Sequence, residues 1–183
     1  MEETDVRETR ESLEVLEGFE GGWSGYLAFS TALVAVVAAI ASLQSGDFAN
    51  RALIEKNQAV LLQTRAADEW SHYQAKSIKA HLAEFEYRQT HDEEARKRFA
   101  GYESELGDIK ARAEKLERSV ESANEEASRL FERHHHVALS VTTFQIAIAL
   151  SALSALLKRK SFWILSIGLS VVGAGLLAVG LLS

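Results

Sequence analysis

Three stretches of this chain carry no charged side chain: from Glu20 to Asp47, from Arg133 to Lys158, and beyond Lys160. An α-helix needs about 20 apolar residues to cross the hydrocarbon core of a bilayer, since each residue rises only ~1.5 Å. Every one of the three stretches reaches that length. Helices apolar all round must be buried in a large core or in lipid, and too little chain remains here to cover three of them. The overall values, 47% hydrophobic and 25% charged, look like those of a water-soluble protein only because they average two unlike populations. The pattern therefore predicts an all-α fold: a polytopic membrane protein with three transmembrane helices, and a long antiparallel helical hairpin (a coiled coil) between the first two.

The boundaries follow from charge. Residues 1–21 form an acidic tail, eight Asp or Glu against Arg7 and Arg10, expected to be disordered. Its acidity argues against a cleavable signal peptide, which starts basic. Transmembrane helix 1 is expected over 22–46, the extramembrane hairpin over 47–135 with its turn near 89–92, and helix 2 over 136–157. A basic loop at 158–161 then leads into helix 3 over 162–183. The chain contains no proline, which suits long unbroken helices, and no cysteine, so it says nothing of redox compartment. A net charge of −6 gives no reason to expect nucleic acid.

Small residues recur at helical spacing in each span. They are Ala28, Ala32, Ala35, Ala39 and Ser42 in the first; Ser140, Thr143, Ala147, Ser151 and Ser154 in the second; and Ser166, Ser170, Ala174 and Ala178 in the third. Such stripes let helices approach closely in lipid, so each is an expected packing face, within one subunit or between several. The loop Lys158-Arg159-Lys160 sets the topology, because short cationic connections stay in the cytoplasm. The amino terminus is then cytoplasmic and the hairpin periplasmic or extracellular. Trp23 and Trp163 fall in one leaflet as interfacial anchors.

Within the hairpin, Phe99, Tyr102, Leu106, Ile109, Ala113, Leu116, Val120, Ala123, Ala127 and Leu130 recur in alternating steps of three and four. A coiled-coil seam has that spacing, and it passes unbroken through Gly101 and Gly107, which places both inside a helix. The turn falls at Thr90-His91-Asp92-Glu93, read as a capping box with Thr90 as the cap and Glu93 reaching back. Folding the first half onto the second sets Ala52 opposite Leu130, Ala59 opposite Ala123, Ala66 opposite Leu116, Trp70 opposite Ala113 and Tyr73 opposite Ile109. A second stripe, Leu53, Val60, Thr64, Ala67, Ser71, Ala75, Ile78, Leu82 and Phe85, faces away from this seam. Burying it needs another copy of the chain or an unidentified protein partner, and a homo-oligomer is the expectation.

The run from Trp70 to Leu82 (WSHYQAKSIKAHL) resembles the signature of a bacterial membrane-protein family called domain of unknown function 4337. The run Phe144 to Leu150, then Lys158-Arg159-Lys160 and Trp163, is similar to the second part of that family, so the likeness covers most of the chain from Gly22 onward. The family usually has a proline in the connection between its long helices, and this chain has none. The resemblance implies residence in the bacterial inner membrane and implies no activity.

Chemistry is sparsely represented. His134, His135 and His136 are consecutive and point in three directions from a helix, so they cannot chelate one ion together. His72, His81 and His91 lack partners at ligand spacing. No catalytic, cofactor or metal site is expected, and the protein is read as a non-enzyme. Trp70, Tyr73, Lys76 and Lys79 form a basic, aromatic patch suited to a partner or an anionic ligand. Ser140, Thr143, Gln145, Ala147, Ser151 and Ser154 are the polar or small candidates either for lining a pore or for packing helix 2. The expected function is an oligomeric scaffold or assembly protein presenting its hairpin; the alternative is a channel or transporter component with helix 2 lining the pore.

Overall fold

In the computed structural model, residues 22–182 are described; the acidic tail expected over 1–21 lies outside the described residues, as does Ser183. Three helices account for nearly all of that range: α1 (Trp23–Thr90), α2 (Glu93–Leu157) and α3 (Lys160–Leu182), with no strand among the described residues. Nothing in the sequence interrupts them. Proline is absent, and Gly46, Gly101 and Gly107 lie inside helices with open space where a Cβ would stand. Each helix is long and apolar enough to cross a membrane. Internal contacts divide the chain into two units, residues 50–131, and residues 1–49 with 132–183. Each unit is described by itself.

In the 50–131 unit, α1 and α2 run antiparallel, since bonded partners rise in number along one helix as they fall along the other. Lys56 Nζ donates to Asn124 Oδ1 (2.7 Å), Arg112 pairs with Glu69 (3.3 Å), and Arg98 pairs with Glu86 (2.8 Å). Burial falls on the expected seam. Ala52, Ala59, Ala66 and Ala80 are buried on α1, and Ile109, Ala113, Val120, Ala123, Ala127 and Leu130 on α2. The fully buried residues on α1 are alanines, with Leu62, Trp70, Tyr73 and Ser77 half-buried between them, so most layers put a small side chain against a larger one. A methyl adds only about 0.8 kcal/mol of burial, which makes close backbone approach the main gain of this seam.

The turn differs from the expected capping box. Asp92, not Thr90, caps α2: its carboxylate accepts from Glu94 N (3.2 Å) and Ala95 N (3.3 Å). Thr90 closes α1 instead, its hydroxyl donating to Glu86 O (2.8 Å) and accepting from Asp92 N (3.3 Å). The reason is the backbone at His91, which is left-handed (φ 57°) and ends α1 at Thr90. An aspartate is also a better cap than a threonine and sits favourably at the positive end of α2.

In the other unit, α2 and α3 meet along one register. Val137, Phe144 and Ser151 on α2 face Gly180, Gly173 and Ser166 on α3, successive positions lying seven apart on both helices. A repeat of seven keeps one face turned to an antiparallel neighbour. A Cβ at Gly180 would fall 2.8 Å from Val137 Cγ2 and 3.1 Å from its backbone nitrogen, so only glycine permits this approach.

Two of the small-residue stripes are not the faces packed within the chain. On α3 the buried residues are Ser166, Gly173 and Gly180, while Ala174 and Ala178 are exposed. The expected stripe stepped by four, and at 3.6 residues per turn such a stripe winds off the contact face. On α1, Ala28, Ala32, Ala35, Ala39 and Ser42 are all exposed; Leu27, Ala38, Ala41, Ser45 and Phe48 are buried. The true face lies one residue, about 100°, round the helix from the expected one. The connection between α2 and α3 is also shorter than the charge pattern suggested. Lys158 is left-handed (φ 53°), Ser154 Oγ donates to Arg159 O (2.8 Å), and α3 already begins at Lys160.

Candidate functional site

Of the aromatic, basic patch, three members are engaged within the helix pair. Trp70 is half-buried and donates Nε1–H to Glu117 Oε1 (2.8 Å), and its ring meets Tyr73 edge-on with centroids 5.6 Å apart. Lys76 pairs with Glu105 and lies over the Tyr102 ring at 5.8 Å, leaving its side chain 17% exposed. The Lys76 ammonium holds the Glu105 carboxyl below its usual range, first by the hydrogen bond it donates and then by its charge. Lys79 is exposed. Tyr102 is one of the seam positions read from the sequence, but Glu105 and Glu117 could not be singled out, because acidic residues recur all along α2 and only the register selects these.

The stripe on the apolar half of α2 divides in the same way. Ser140, Ala147, Ser151 and Ser154 are buried inside the chain. Ser140 Oγ donates to Val137 O (2.7 Å), Ser151 shares a hydrogen bond with Ser166 (2.7 Å), and Ser154 donates to the turn beyond α2. Thr143 is partly exposed, with its hydroxyl bonded to Leu139 O (2.8 Å), and Gln145 is exposed.

The histidines scatter. His134 Nδ1 lies 2.9 Å from Ser45 O and 3.0 Å from Ser45 Oγ, a link between α2 and α1 that the residue run alone did not reveal. Among the described residues no three of His, Cys, Asp and Glu come together as metal ligands.

Two surfaces remain open. In the 50–131 unit, Leu53, Val60, Ile78, Leu82 and Phe85 on α1 are 53–63% exposed and form one stripe. In the other unit, a groove of about 810 Å³ runs between α1 and α2. Its walls include Ala28, Ala32, Ala152 and Ala155, and Trp23 and Lys158 also line it. Outward-facing apolar side chains occur on every helix of this unit: Leu43, Leu156 and Leu182 are 78%, 79% and 85% exposed.

The class of protein is now defined: an all-helical chain whose three helices are long and apolar enough to span a membrane, with a charged antiparallel helix pair between residues 50 and 131. The chain belongs to the family described as domain of unknown function (DUF4337), which matches it over residues 23–183. No curated protein and no solved structure matches it.

Proposed function

We propose that this protein is an oligomeric scaffold of the bacterial inner membrane. Its three apolar helices cross the bilayer, its amino terminus is cytoplasmic, and residues 50–131 form a coiled-coil hairpin on the opposite side that assembles with other copies. The carrying observation is the exposed stripe on α1. Ile78, Leu82 and Phe85 follow one another in steps of four and three, and all are at least 60% exposed. A continuous apolar seam of this kind in a charged, water-facing helix pair marks an interaction surface. The burial of Ser140, Ser151 and Ser154 supports a packing role for transmembrane helix 2 over pore lining, and no reaction is assigned to the protein.

The test uses the cysteine-free chain directly. Copies anchored in one membrane lie parallel, so a residue near a symmetry axis meets itself. Ile78→Cys and Leu82→Cys, each alone, give disulfide-linked dimers on mild oxidation of native membranes, whereas Arg118→Cys, exposed on α2, does not. A chain that stays monomeric at every stripe position refutes the scaffold.

A further inference from the structure

We infer that the groove between α1 and α2 is a binding site for an anionic phospholipid, with the phosphodiester headgroup at Lys158 and one acyl chain lying over the alanines. This inference rests on the membrane reading above, and on three features of the groove. The first is charge. Lys158 lines the groove and is followed directly by Arg159 and Lys160, and residues 22–46 and 133–182 of this unit contain no Asp or Glu; the acidic residues of the tail lie outside the described residues. The second is the ordering of chemistry along the groove. Lys158 and Trp23, groups that favour the headgroup level, lie at one end, and Ala28, Ala32 and Ala35 follow on α1 away from it. The third is length. From Ser24 to Ala35 the groove follows α1 for about 17 Å at 1.5 Å per residue, close to one leaflet, roughly half of the 30 Å hydrocarbon core. A helix from a second copy would need a groove running the full thickness, so a single acyl chain is the better fit.

Lys158 also offers a clean perturbation. Its backbone is left-handed, φ 53°, a conformation that suits glycine. Lys158→Gly therefore removes the cation without straining the turn. The full-length protein is extracted, loaded with phosphatidylglycerol or phosphatidylcholine of identical acyl chains, and weighed intact by native mass spectrometry. The wild type retains phosphatidylglycerol preferentially, and Lys158→Gly lowers that preference about five-fold, the factor that one lysine contributes near an anionic surface. Ala32→Leu, which fills the groove, lowers retention of both lipids.

Equal retention of the two lipids by the wild type overturns the site. So does an Ala32→Leu variant that keeps its lipid, since the cations would then be acting as a surface patch without the groove. Lipid-free dimers that Ala32→Leu dissociates would assign the groove to a second copy and overturn it as well. Failure of the membrane reading is distinguishable: the chain would leave the membrane fraction on alkaline carbonate washing, whatever lipid it carried.

Discussion

Replacing Gly180 by alanine measures how closely α3 approaches α2. The added Cβ would lie 2.8 Å from Val137 Cγ2, 3.0 Å from His136 Cβ and 3.1 Å from Val137 N. Val137 is fully buried, and a backbone nitrogen cannot rotate aside, so the two helices must separate. Overpacking of this kind costs about 1–3 kcal/mol. Against it stands the loss of glycine's helix penalty, about 1 kcal/mol in water. The net expectation is a destabilisation of roughly 0–2 kcal/mol. Gly175 supplies the reference, because no neighbouring atom lies within 4 Å of its Cβ. Gly175→Ala keeps the propensity gain alone, so the two variants should differ by about 1–3 kcal/mol. Reversible unfolding in mixed micelles, followed by circular dichroism against the mole fraction of denaturing detergent, reads that difference.

Gly173 extends the test along the register. The three atoms nearest to its added Cβ all belong to the Phe144 ring, at 2.9–3.3 Å, and Phe144 is only 2% exposed and has no room to turn. Gly173→Ala should therefore be rescued in part by Phe144→Leu, with a coupling of about 1 kcal/mol. Equal stability of the alanine variants at 180 and 175, together with no coupling between 173 and 144, would refute the seven-residue register.

Further outcomes follow from the turn, the ion pair and the topology. Asp92→Ala should destabilise the protein by about 1 kcal/mol through loss of the cap, and His91→Gly should stabilise it by about 1 kcal/mol by relieving a left-handed residue; chemical unfolding in detergent checks both. Glu105 has a folded-state pKa below its unfolded one, so its contribution is complete above the unfolded carboxylate value and is lost as pH falls through the lower, folded value; carboxyl NMR of Lys76→Met should show Glu105 titrating higher. A membrane-impermeant maleimide applied to intact spheroplasts should label His91→Cys and leave Arg159→Cys untouched, and the reverse pattern would invert the proposed topology.

Much of the architecture was legible because it depends on counting. Charge-free length marked the apolar segments, and steps of three and four marked the seam residues from Ala52 to Leu130 that are buried or half-buried in the structure. What escaped depended on direction around a helix. Ala28 and Leu27 differ by one position and by about 100°, and both stripes containing them are apolar, so composition could not choose between them. On α3, the glycines at 173 and 180 are invisible to a search for alanine and serine at steps of four, although their spacing of seven from Ser166 was available. Asp92 was passed over as a cap because Thr90-x-x-Glu93 has the spacing of a capping box. The left-handed backbone of His91, which decides the matter, has only a weak signature: histidine is enriched at positive φ, but that does not single out one of the six histidines.

The distribution of burial gives the three apolar helices different roles. In its most apolar window α2 buries 33% of its residues, against 17% for α1 and for α3. Its hydroxyls at 140, 151 and 154 are bonded within the chain, to Val137, Ser166 and Arg159. Turning them toward a water-filled path would break the Ser151–Ser166 bond and uncover Phe144, so a pore lined by these residues would have to be built from a different packing of α2 and α3. On the membrane reading proposed above, lipid or a second copy meets the uncovered faces, and among the described residues the stripe at 53–85 and one wall of the groove, at 24–35, belong to α1. Substitutions that change assembly or lipid retention without lowering stability should therefore concentrate on α1, while those in the 137–151 register of α2 should lower stability first.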